Sequence, residues 1–253
     1  MSRIALITGA TSGIGKAVAF AVAREGFNII ITGRRKELLN SIANKIQEDF
    51  KVDVLPLNFD IRDSSLVQKF LGNLPENWKN IDVLVNNAGL AVGMDPIDKG
   101  IIEDWDRMID TNVKGLLYVS RIISKGMVDR QSGHIINIGS IAGKSVYPNG
   151  NVYCATKHAV DALSRAMSQD LYRYNIKVSQ VCPGLAETEF SKIRFKGDDQ
   201  LAAAVYKGYV PLKPEDIADA VRYIIMAPSH VNISDLVIMP AAQASSTMVK
   251  KEI

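Results

Sequence analysis

The chain has 253 residues, of which 47% are hydrophobic, so it can bury a large core. Its 30 basic and 27 acidic residues are spread along the sequence and give a net charge of only +3, so we expect no nucleic-acid partner. Two cysteines, three isolated histidines and no apolar run near the ~18 residues that span a bilayer predict a cytoplasmic protein without a metal or a membrane anchor.

A βαβ unit opens the chain. The apolar run Ile4–Thr8 predicts a strand, and the Ala/Val-rich segment Gly15–Glu25 predicts a helix. The turn between them has its glycines in a G-x-x-x-G-x-G pattern, which permits a tight turn and lets the backbone approach a pyrophosphate at the helix N-terminus. The alternative is a plain strand-to-helix turn. The residues predicted to bind a cofactor here are Gly9, Thr11, Ser12, Gly13, Ile14 and Gly15.

Two arginines follow the second predicted strand, Phe27–Thr32. They lie 19 and 20 residues beyond Gly15, where a dinucleotide-binding unit contacts the adenosine ribose and an NAD-preferring unit carries Asp or Glu. Guanidinium groups match a 2′-phosphate in geometry and charge, so Arg34 and Arg35 predict NADP as the cofactor. The alternative is a solvated helix start, although arginine in a first helical turn opposes the macrodipole.

The next two predicted strands, 52–58 and Ile81–Val85, also end in polar residues. Asp60 follows the first and is placed to accept from an adenine amino group, while Asp63 is a candidate N-cap of the next helix. After the second, two amides and a glycine suit a backbone that passes close to a flat ligand, or an ordinary Asn-rich turn. The predicted cofactor contacts in that turn are Asn87, Ala88 and Gly89.

A helical pattern over about Ile101–Arg130 contains Asn112 between apolar positions. A buried amide must satisfy several hydrogen bonds, so Asn112 either stabilises a kink or belongs to a functional polar network. The following buried strand, 133–140, ends at Ser140, which lies thirteen residues before Tyr153. A loop of that length can return the Ser140 hydroxyl to the Tyr153 phenol, and the alternative is an ordinary cap or loop serine.

Tyr153 and Lys157 lie four residues apart in a predicted helix over about 150–174, and therefore on one face of it. A fixed ammonium beside a phenol favours the phenolate, and we expect Lys157 to lower the pKa of Tyr153 from its ordinary value of about 10. This makes Tyr153 a candidate general acid and base. Taken alone, the two residues are more simply explained as neighbours on a helix surface.

The last third of the chain has a strand at Lys177–Val181, a helix at 214–227 and a strand at 233–239. Between the first two lies an irregular segment, about 185–210, which suits a loop or lid over a substrate. Strands that alternate with helices throughout predict one α/β domain, residues 1–253, with a Rossmann-like, doubly wound parallel sheet. Its ligands would bind at the carboxyl ends of the strands.

Taken together, these motifs resemble the short-chain dehydrogenase/reductase family, and the resemblance covers roughly residues 3 to 239. It rests on the glycine-rich turn, Asn86–Gly89, Asn112, Ser140, Tyr153 with Lys157, and Pro183-Gly184 with Thr188. The resemblance implies NADP-dependent hydride transfer between a secondary alcohol and a ketone, and a homotetramer. One departure is Thr11, where many NADP-using relatives carry a basic residue, so the NADP preference rests on Arg34 and Arg35.

The resemblance also implies a role for each matching residue. Tyr153 would exchange the hydroxyl proton, Ser140 would hydrogen-bond the same oxygen, and Lys157 would lower the Tyr153 pKa and hold the nicotinamide ribose. Asn112 would position a water that connects Lys157 to solvent, and Thr188 would hold the carboxamide. The remaining implied cofactor contacts are Pro183 and Gly184.

Three segments, 87–94, 187–191 and 194–199, resemble the subgroup that oxidises the β-hydroxyl of small 3-hydroxy acids such as serine, allo-threonine or 3-hydroxypropionate. A short carboxylate substrate needs a fixed cation, for which Arg194 is the candidate, with Lys196 or Lys144 as alternatives. Arg194 is otherwise an exposed loop residue. Two other functions stay open: a reductase of 3-oxoacyl thioesters or assorted ketones and aldehydes, and a non-catalytic, NADP-binding regulatory protein on the same fold.

Overall fold

In the computed structural model, which describes residues 2–252, a seven-stranded parallel sheet lies between two layers of helices. The strand order is β3-β2-β1-β4-β5-β6-β7, and each neighbouring pair is parallel. The strands are β1 Ile4–Ile7, β2 Asn28–Gly33, β3 Val54–Asn58, β4 Ile81–Asn86, β5 Gly133–Ile138, β6 Ile176–Pro183 and β7 Asp235–Ile238. The predicted doubly wound α/β fold is therefore confirmed.

The helices alternate with these strands along the chain. They are α1 Gly13–Arg24, α2 Lys36–Phe50, α3 Ser64–Leu71, α4 Ile102–Ile109, α5 Leu116–Arg130, α6 Asn151–Leu171, α7 Phe190–Arg194, α8 Asp199–Ala204 and α9 Pro214–Met226. Short 3₁₀ turns occur at Glu76–Trp78, Ile97–Lys99, Ile141–Gly143 and Tyr172–Tyr174. Within residues 2–252, none of the helices is long and apolar enough to cross a membrane.

Period-two alternation in the strands builds two separate cores. Ile29 and Ile31 of β2 face α1, α2 and α9, whereas Ile30 faces the layer that contains α3 and α5. All three side chains are fully buried. A strand buried on both faces reads as a continuous apolar run, which is why these strands were recognisable in the sequence.

The predicted strands differ from the observed ones by at most two residues at either end. The long predicted helix is instead two helices, α4 and α5, joined by a π-helical turn at Asp110–Gly115. The irregular segment contains two short helices, α7 and α8. Asp63 is the N-cap of α3, as predicted, because its carboxylate accepts from the amides of Ser65 and Leu66.

Candidate active site

A cavity of about 600 Å³ opens at the carboxyl edge of the sheet. It runs from Arg34 and Arg35 at one end, along the glycine-rich turn, to Ser140 and Tyr153 at the other. Every residue predicted to contact cofactor or substrate borders it, and of the predicted catalytic residues only Asn112 lies outside the lining. One fold thus brings together side chains from six different loops, as parallel α/β sheets do at their carboxyl ends.

The glycine-rich turn leaves the N-terminus of α1 free of a side-chain cap. Ser12, the N-cap residue, makes no side-chain hydrogen bond to the first turn. Gly9 has a φ of +68°, and a Cβ built on Gly15 would lie 2.5 Å from the Gly9 carbonyl oxygen. Glycine is therefore required at both positions, and the uncapped amides at this helix end suit a phosphate group.

Hydrogen bonds from Asn87 hold this turn against the end of β4. Its Nδ2 donates to the carbonyl oxygens of Thr8, at 2.8 Å, and Gly9, at 3.2 Å. In return, the buried Thr8 hydroxyl accepts from the amides of Asn87 and Ala88, each at 3.0 Å. The Asn87 side chain thus fixes the turn, as the sequence predicted for this segment, and Thr8 completes the link.

The two arginines predicted to select NADP lie at the same end of the cavity but have different partners. Arg34 Nη1 is 3.8 Å from Asp60 Oδ2, a carboxylate that Arg62 also engages at 2.7 Å. Burial of Asp60 works against ionisation, but the hydrogen bonds from Arg62 and the charge of Arg34 outweigh it and hold the pKa of this carboxyl below its usual value.

Arg35 turns back over the glycine-rich turn. Its Nη2 donates to the hydroxyls of Ser12, at 2.7 Å, and Thr11, at 3.0 Å, and its Nη1 lies 2.9 Å from Glu189 Oε2. Arg35 therefore borders the cavity, although it is also the N-cap of α2 and its side chain is partly exposed.

Tyr153 and Lys157 lie on one face of α6, and both are buried. Burial, with a further contribution from Tyr147, raises the pKa of Tyr153 well above its ordinary value, and a hydrogen bond from Ser140 opposes the shift only in part. Lys157 Nζ donates to the Ile138 carbonyl at 2.9 Å, and burial lowers the Lys157 pKa to about 8. The prediction that Lys157 lowers the Tyr153 pKa is therefore wrong for this arrangement, because desolvation of the phenol dominates.

Asn112 lies in the π-helical turn, a feature that often marks functional sites. Its Nδ2 donates to the Leu90 carbonyl at 2.8 Å and to the Thr156 hydroxyl at 3.0 Å, and its Oδ1 accepts from the Leu90 amide at 2.8 Å. Asn112 therefore ties the loop after β4 to α6, next to Lys157. The residue thus lies at a helix irregularity and belongs to a buried polar network, and a functional role for that network stays a prediction.

Arg194 lies above the candidate catalytic tyrosine. Its guanidinium carbon is 5.5 Å from the centroid of the Tyr153 ring and 5.3 Å from that of Tyr147, and Nη2 donates to the Tyr147 hydroxyl at 2.7 Å. Its Nε is buried and has no hydrogen-bond partner among residues 2–252. Arg194 also borders the cavity, and a guanidinium on a cavity wall is suited to bind an anionic ligand.

The two alternative cations are engaged elsewhere. Lys144 Nζ pairs with Asp161 and Asp235, and Lys196 Nζ lies 2.7 Å from Asp104 Oδ2. Neither lysine borders the cavity. Of the three cations considered, Arg194 is therefore the one that the fold places beside Tyr153.

Among the cavity residues that were not singled out from the sequence, three make notable contacts. Tyr147 supports Arg194, the Phe190 ring packs edge-on against Tyr153 at 5.6 Å between centroids, and Gln243 accepts from the Leu185 amide at 2.9 Å. The sequence could have indicated Tyr147, because it lies in the loop that returns from Ser140 to Tyr153. Nothing in the sequence indicated Gln243, which lies in the weakly patterned C-terminal tail.

Comparison with known proteins agrees with this geometry. Residues 3–199 match the family model described as short chain dehydrogenase. The chain is 45% identical over 242 residues to the NADP-dependent 3-hydroxy acid dehydrogenase YdfG of Escherichia coli K12, with 95% of this chain and 96% of that protein covered. It is 40% identical over 247 residues to sulfoacetaldehyde reductase 2 of Chromohalobacter salexigens, with 97% of each covered.

Among solved structures, the closed form of serine dehydrogenase complexed with NADP⁺ superposes with a TM-score of 0.91 at 43% identity. The match covers 99% of this chain and 100% of that one. The similarity therefore extends over the whole cavity, including the segment that carries Arg194.

Proposed function

This chain belongs to the short-chain dehydrogenase family, and from that premise we propose that it transfers hydride between NADP and the β-hydroxyl carbon of a small 3-hydroxy acid. Serine, allo-threonine and 3-hydroxypropionate represent the substrate class. The observation that carries the proposal is the position of Arg194, whose guanidinium lies over the Tyr153 ring on the cavity wall.

The residues along the cavity fit NADP. Arg34 and Arg35 supply guanidinium groups for the 2′-phosphate, and the uncapped amides at the start of α1 suit the pyrophosphate. We assign the nicotinamide end to Lys157, the 87–89 turn, Pro183, Gly184 and Thr188, all of which border the cavity. When bound, NADP supplies the hydride acceptor, or in its reduced form the donor.

In the proposed reaction, Tyr153 transfers the proton and Ser140 assists it. In the oxidation direction, the Tyr153 oxygen takes the substrate hydroxyl proton as the carbon loses hydride and its carbonyl forms, and the raised pKa of the phenol makes this oxygen a strong base once it is ionised. Ser140 hydrogen-bonds the same oxygen, and its hydroxyl also favours the ionised phenol. Lys157 would hold the nicotinamide ribose, and Asn112 would position a water beside it. In the reduction direction, the phenol returns the proton to the oxygen.

We propose that Arg194 binds the acid group of the substrate. Its Nη2 donates to the Tyr147 hydroxyl, which fixes the guanidinium beside the Tyr153 ring. The side chains of Phe190 and Tyr147 border the same space as Tyr153, so we propose that only a short carbon chain separates the carboxylate from the reacting hydroxyl. The loop about 185–210 would then cover the substrate within a single domain.

A second candidate is reduction of a small sulfonated aldehyde. It is favoured by the 40% identity to sulfoacetaldehyde reductase 2 and by the same guanidinium, which binds a sulfonate as readily as a carboxylate. Both candidates require an anionic group next to the reacting carbon, whereas a general ketone or 3-oxoacyl reductase does not.

The test compares an acid with its uncharged ester. Turnover of 3-hydroxypropionate is measured against its methyl ester, alongside L-serine, L-allo-threonine and a simple secondary alcohol, with NADP and NAD in parallel. We expect kcat/KM to be at least ~10-fold higher for the charged member, as a buried charge-assisted hydrogen bond supplies. Equal rates would favour the general reductase, and absence of turnover with every substrate would favour a regulatory NADP-binding protein.

A homotetramer and a cytoplasmic location remain predictions. Light scattering on the purified protein would test the first, and fractionation of the source cells the second.

A further inference from the structure

An ion pair joins the two sides of the cavity at the end assigned to the 2′-phosphate. Arg35 Nη1 lies 2.9 Å from Glu189 Oε2, although the two residues are 154 positions apart in the chain. Arg35 is the N-cap of α2, and Glu189 is the N-cap of α7, the helix that ends with Arg194. The pair therefore connects the cofactor side of the cavity to the segment that covers the substrate side.

Four of the five N–H donors of Arg35 are engaged. Nε and Nη2 bond the Thr11 hydroxyl, Nη2 also bonds Ser12, and Nη1 bonds Glu189. Burial of the Glu189 carboxyl disfavours its charge, but hydrogen bonds from Ser12 and Arg35 outweigh that and lower its pKa. At neutral pH, an ionised carboxylate thus occupies the guanidinium that the 2′-phosphate would use.

Two anions cannot share this guanidinium without cost. A 2′-phosphate carries up to two negative charges and binds arginine through two parallel hydrogen bonds, so it competes with Glu189 for the same donors and repels the carboxylate. Both side chains of the ion pair are nearly half exposed, 44% for Arg35 and 49% for Glu189, so the pair is weak enough to be displaced.

We propose that Glu189 sets the cofactor selectivity by weakening the binding of NADP relative to NAD. Its carboxylate occupies Arg35 until the 2′-phosphate of NADP displaces it. This inference rests on the assignment of NADP to the cavity. NAD lacks the competing group and leaves the ion pair in place. Only the phosphorylated cofactor then releases the start of α7.

Displacement of Glu189 changes what holds the substrate segment. Besides the Arg35 pair, this segment is tied by Lys196 to Asp104 at 2.7 Å and by the Gly93 amide to the Arg194 carbonyl at 2.9 Å. Phe190 and Arg194, which border the substrate end, belong to the helix that Glu189 caps. The 2′-phosphate therefore influences the residues around the substrate through the chain itself.

Binding of two adenine nucleotides tests the proposal without any turnover. Adenosine 2′,5′-bisphosphate carries the 2′-phosphate and ADP does not, and the affinity of each is measured by calorimetry for the native protein and for Glu189→Gln. We expect the variant to bind the 2′-phosphorylated nucleotide about three- to fivefold more tightly, the scale of an exposed ion pair, and to bind ADP unchanged.

Glu187→Gln is the matched control, because Glu187 is an exposed carboxylate on the same loop that does not border the cavity. It removes the same charge and is expected to change neither affinity. If both variants bind adenosine 2′,5′-bisphosphate more tightly to the same extent, the effect is one of overall charge and the proposal is overturned. Unchanged or weaker binding of this nucleotide by Glu189→Gln would overturn it as well.

Hydrogen exchange of the 189–194 peptide supplies a second measurement. We expect it to change when the native protein binds adenosine 2′,5′-bisphosphate, but not when it binds ADP. The same response to both nucleotides would overturn the link to α7. Native protein that fails to bind the 2′-phosphorylated nucleotide at all would instead contradict the NADP assignment, so the two failures are distinguishable.

Discussion

The guanidinium of Arg194 lies over the ring of Tyr153, with 5.5 Å between the guanidinium carbon and the ring centroid. One residue comes from the segment after β6 and the other from α6, so only the folded chain brings them together. The arrangement puts an anion-binding group next to the phenol that exchanges a proton in the proposed reaction. In the proposed reaction, the substrate can therefore have only a short carbon chain between its acid group and its reacting hydroxyl.

Replacement of Arg194 tests that role. We expect Arg194→Gln to reduce kcat/KM for 3-hydroxypropionate by about 10- to 100-fold, mainly through KM, because a charge-assisted hydrogen bond to the carboxylate is lost. Activity with the methyl ester should change little. Lys192→Gln is the control, since Lys192 lies on the same helix and pairs with Asp199 outside the cavity. Equal losses for acid and ester would contradict the assignment.

Removal of the Tyr153 hydroxyl should abolish the reaction while leaving the cofactor site intact. We expect Tyr153→Phe to lower kcat by at least about 10²-fold, the scale of general acid–base catalysis, with NADPH affinity largely retained in a fluorescence titration. Tyr172→Phe serves as the control, because Tyr172 follows the same helix and is 71% exposed. Full activity in Tyr153→Phe would remove the proposed mechanism.

Lys157 should make the protein more stable as the pH rises above about 8. Its native pKa is about 8 and its ordinary value is 10.5, so between these values the unfolded state binds more protons and the free energy of unfolding increases with pH. The increase is at most about 1.4 kcal/mol per pH unit. Urea denaturation of the native protein and Lys157→Met, from about pH 8 to 9.5, should show the slope only in the native protein. Parallel curves would mean that Lys157 is charged in the native state.

The sequence predicted the fold and part of the cavity lining because both depend on local patterns. Each of the strands β1 to β6 ends in, or is followed within two residues by, a glycine or an amide, and a parallel sheet brings those ends to one edge. The positions of Ser140 and Asn87 on the cavity follow from this rule alone. So does the side-by-side placement of Tyr153 and Lys157 on α6, which needs only helical spacing.

Such local patterns could not predict interactions that depend on three-dimensional packing. Helical spacing placed Lys157 near Tyr153, but it contained no information on desolvation of the phenol or on the Ile138 carbonyl that binds the ammonium. The ion pair between Arg35 and Glu189 joins residues 154 positions apart, and nothing local to either one indicates the other. These contacts required the folded structure.

His134 should make the protein sensitive to acid. The imidazole is buried in β5 and its Nε2 lies 2.8 Å from the Ser179 hydroxyl, and burial, with the nearby charge of Lys177, lowers its pKa from 6.5 to about 3. Below pH 6.5 the unfolded state takes up this proton and the native state does not. The contribution of His134 to the free energy of unfolding is therefore fully present above pH 6.5 and is lost as the pH falls towards 3. The loss is at most about 1.4 kcal/mol per pH unit.

The measurement is urea denaturation of the native protein and His134→Gln at about pH 7.5, 5.5 and 4.5. Glutamine can still hydrogen-bond Ser179 but does not titrate, so the variant should be less stable than the native protein at the highest pH and lose less stability on acidification. His230→Gln, at an exposed position, should follow the native protein throughout. If His134→Gln is as acid-sensitive as the native protein, the buried imidazole takes up its proton without unfolding, and acid lability has to be traced to the paired carboxylates instead.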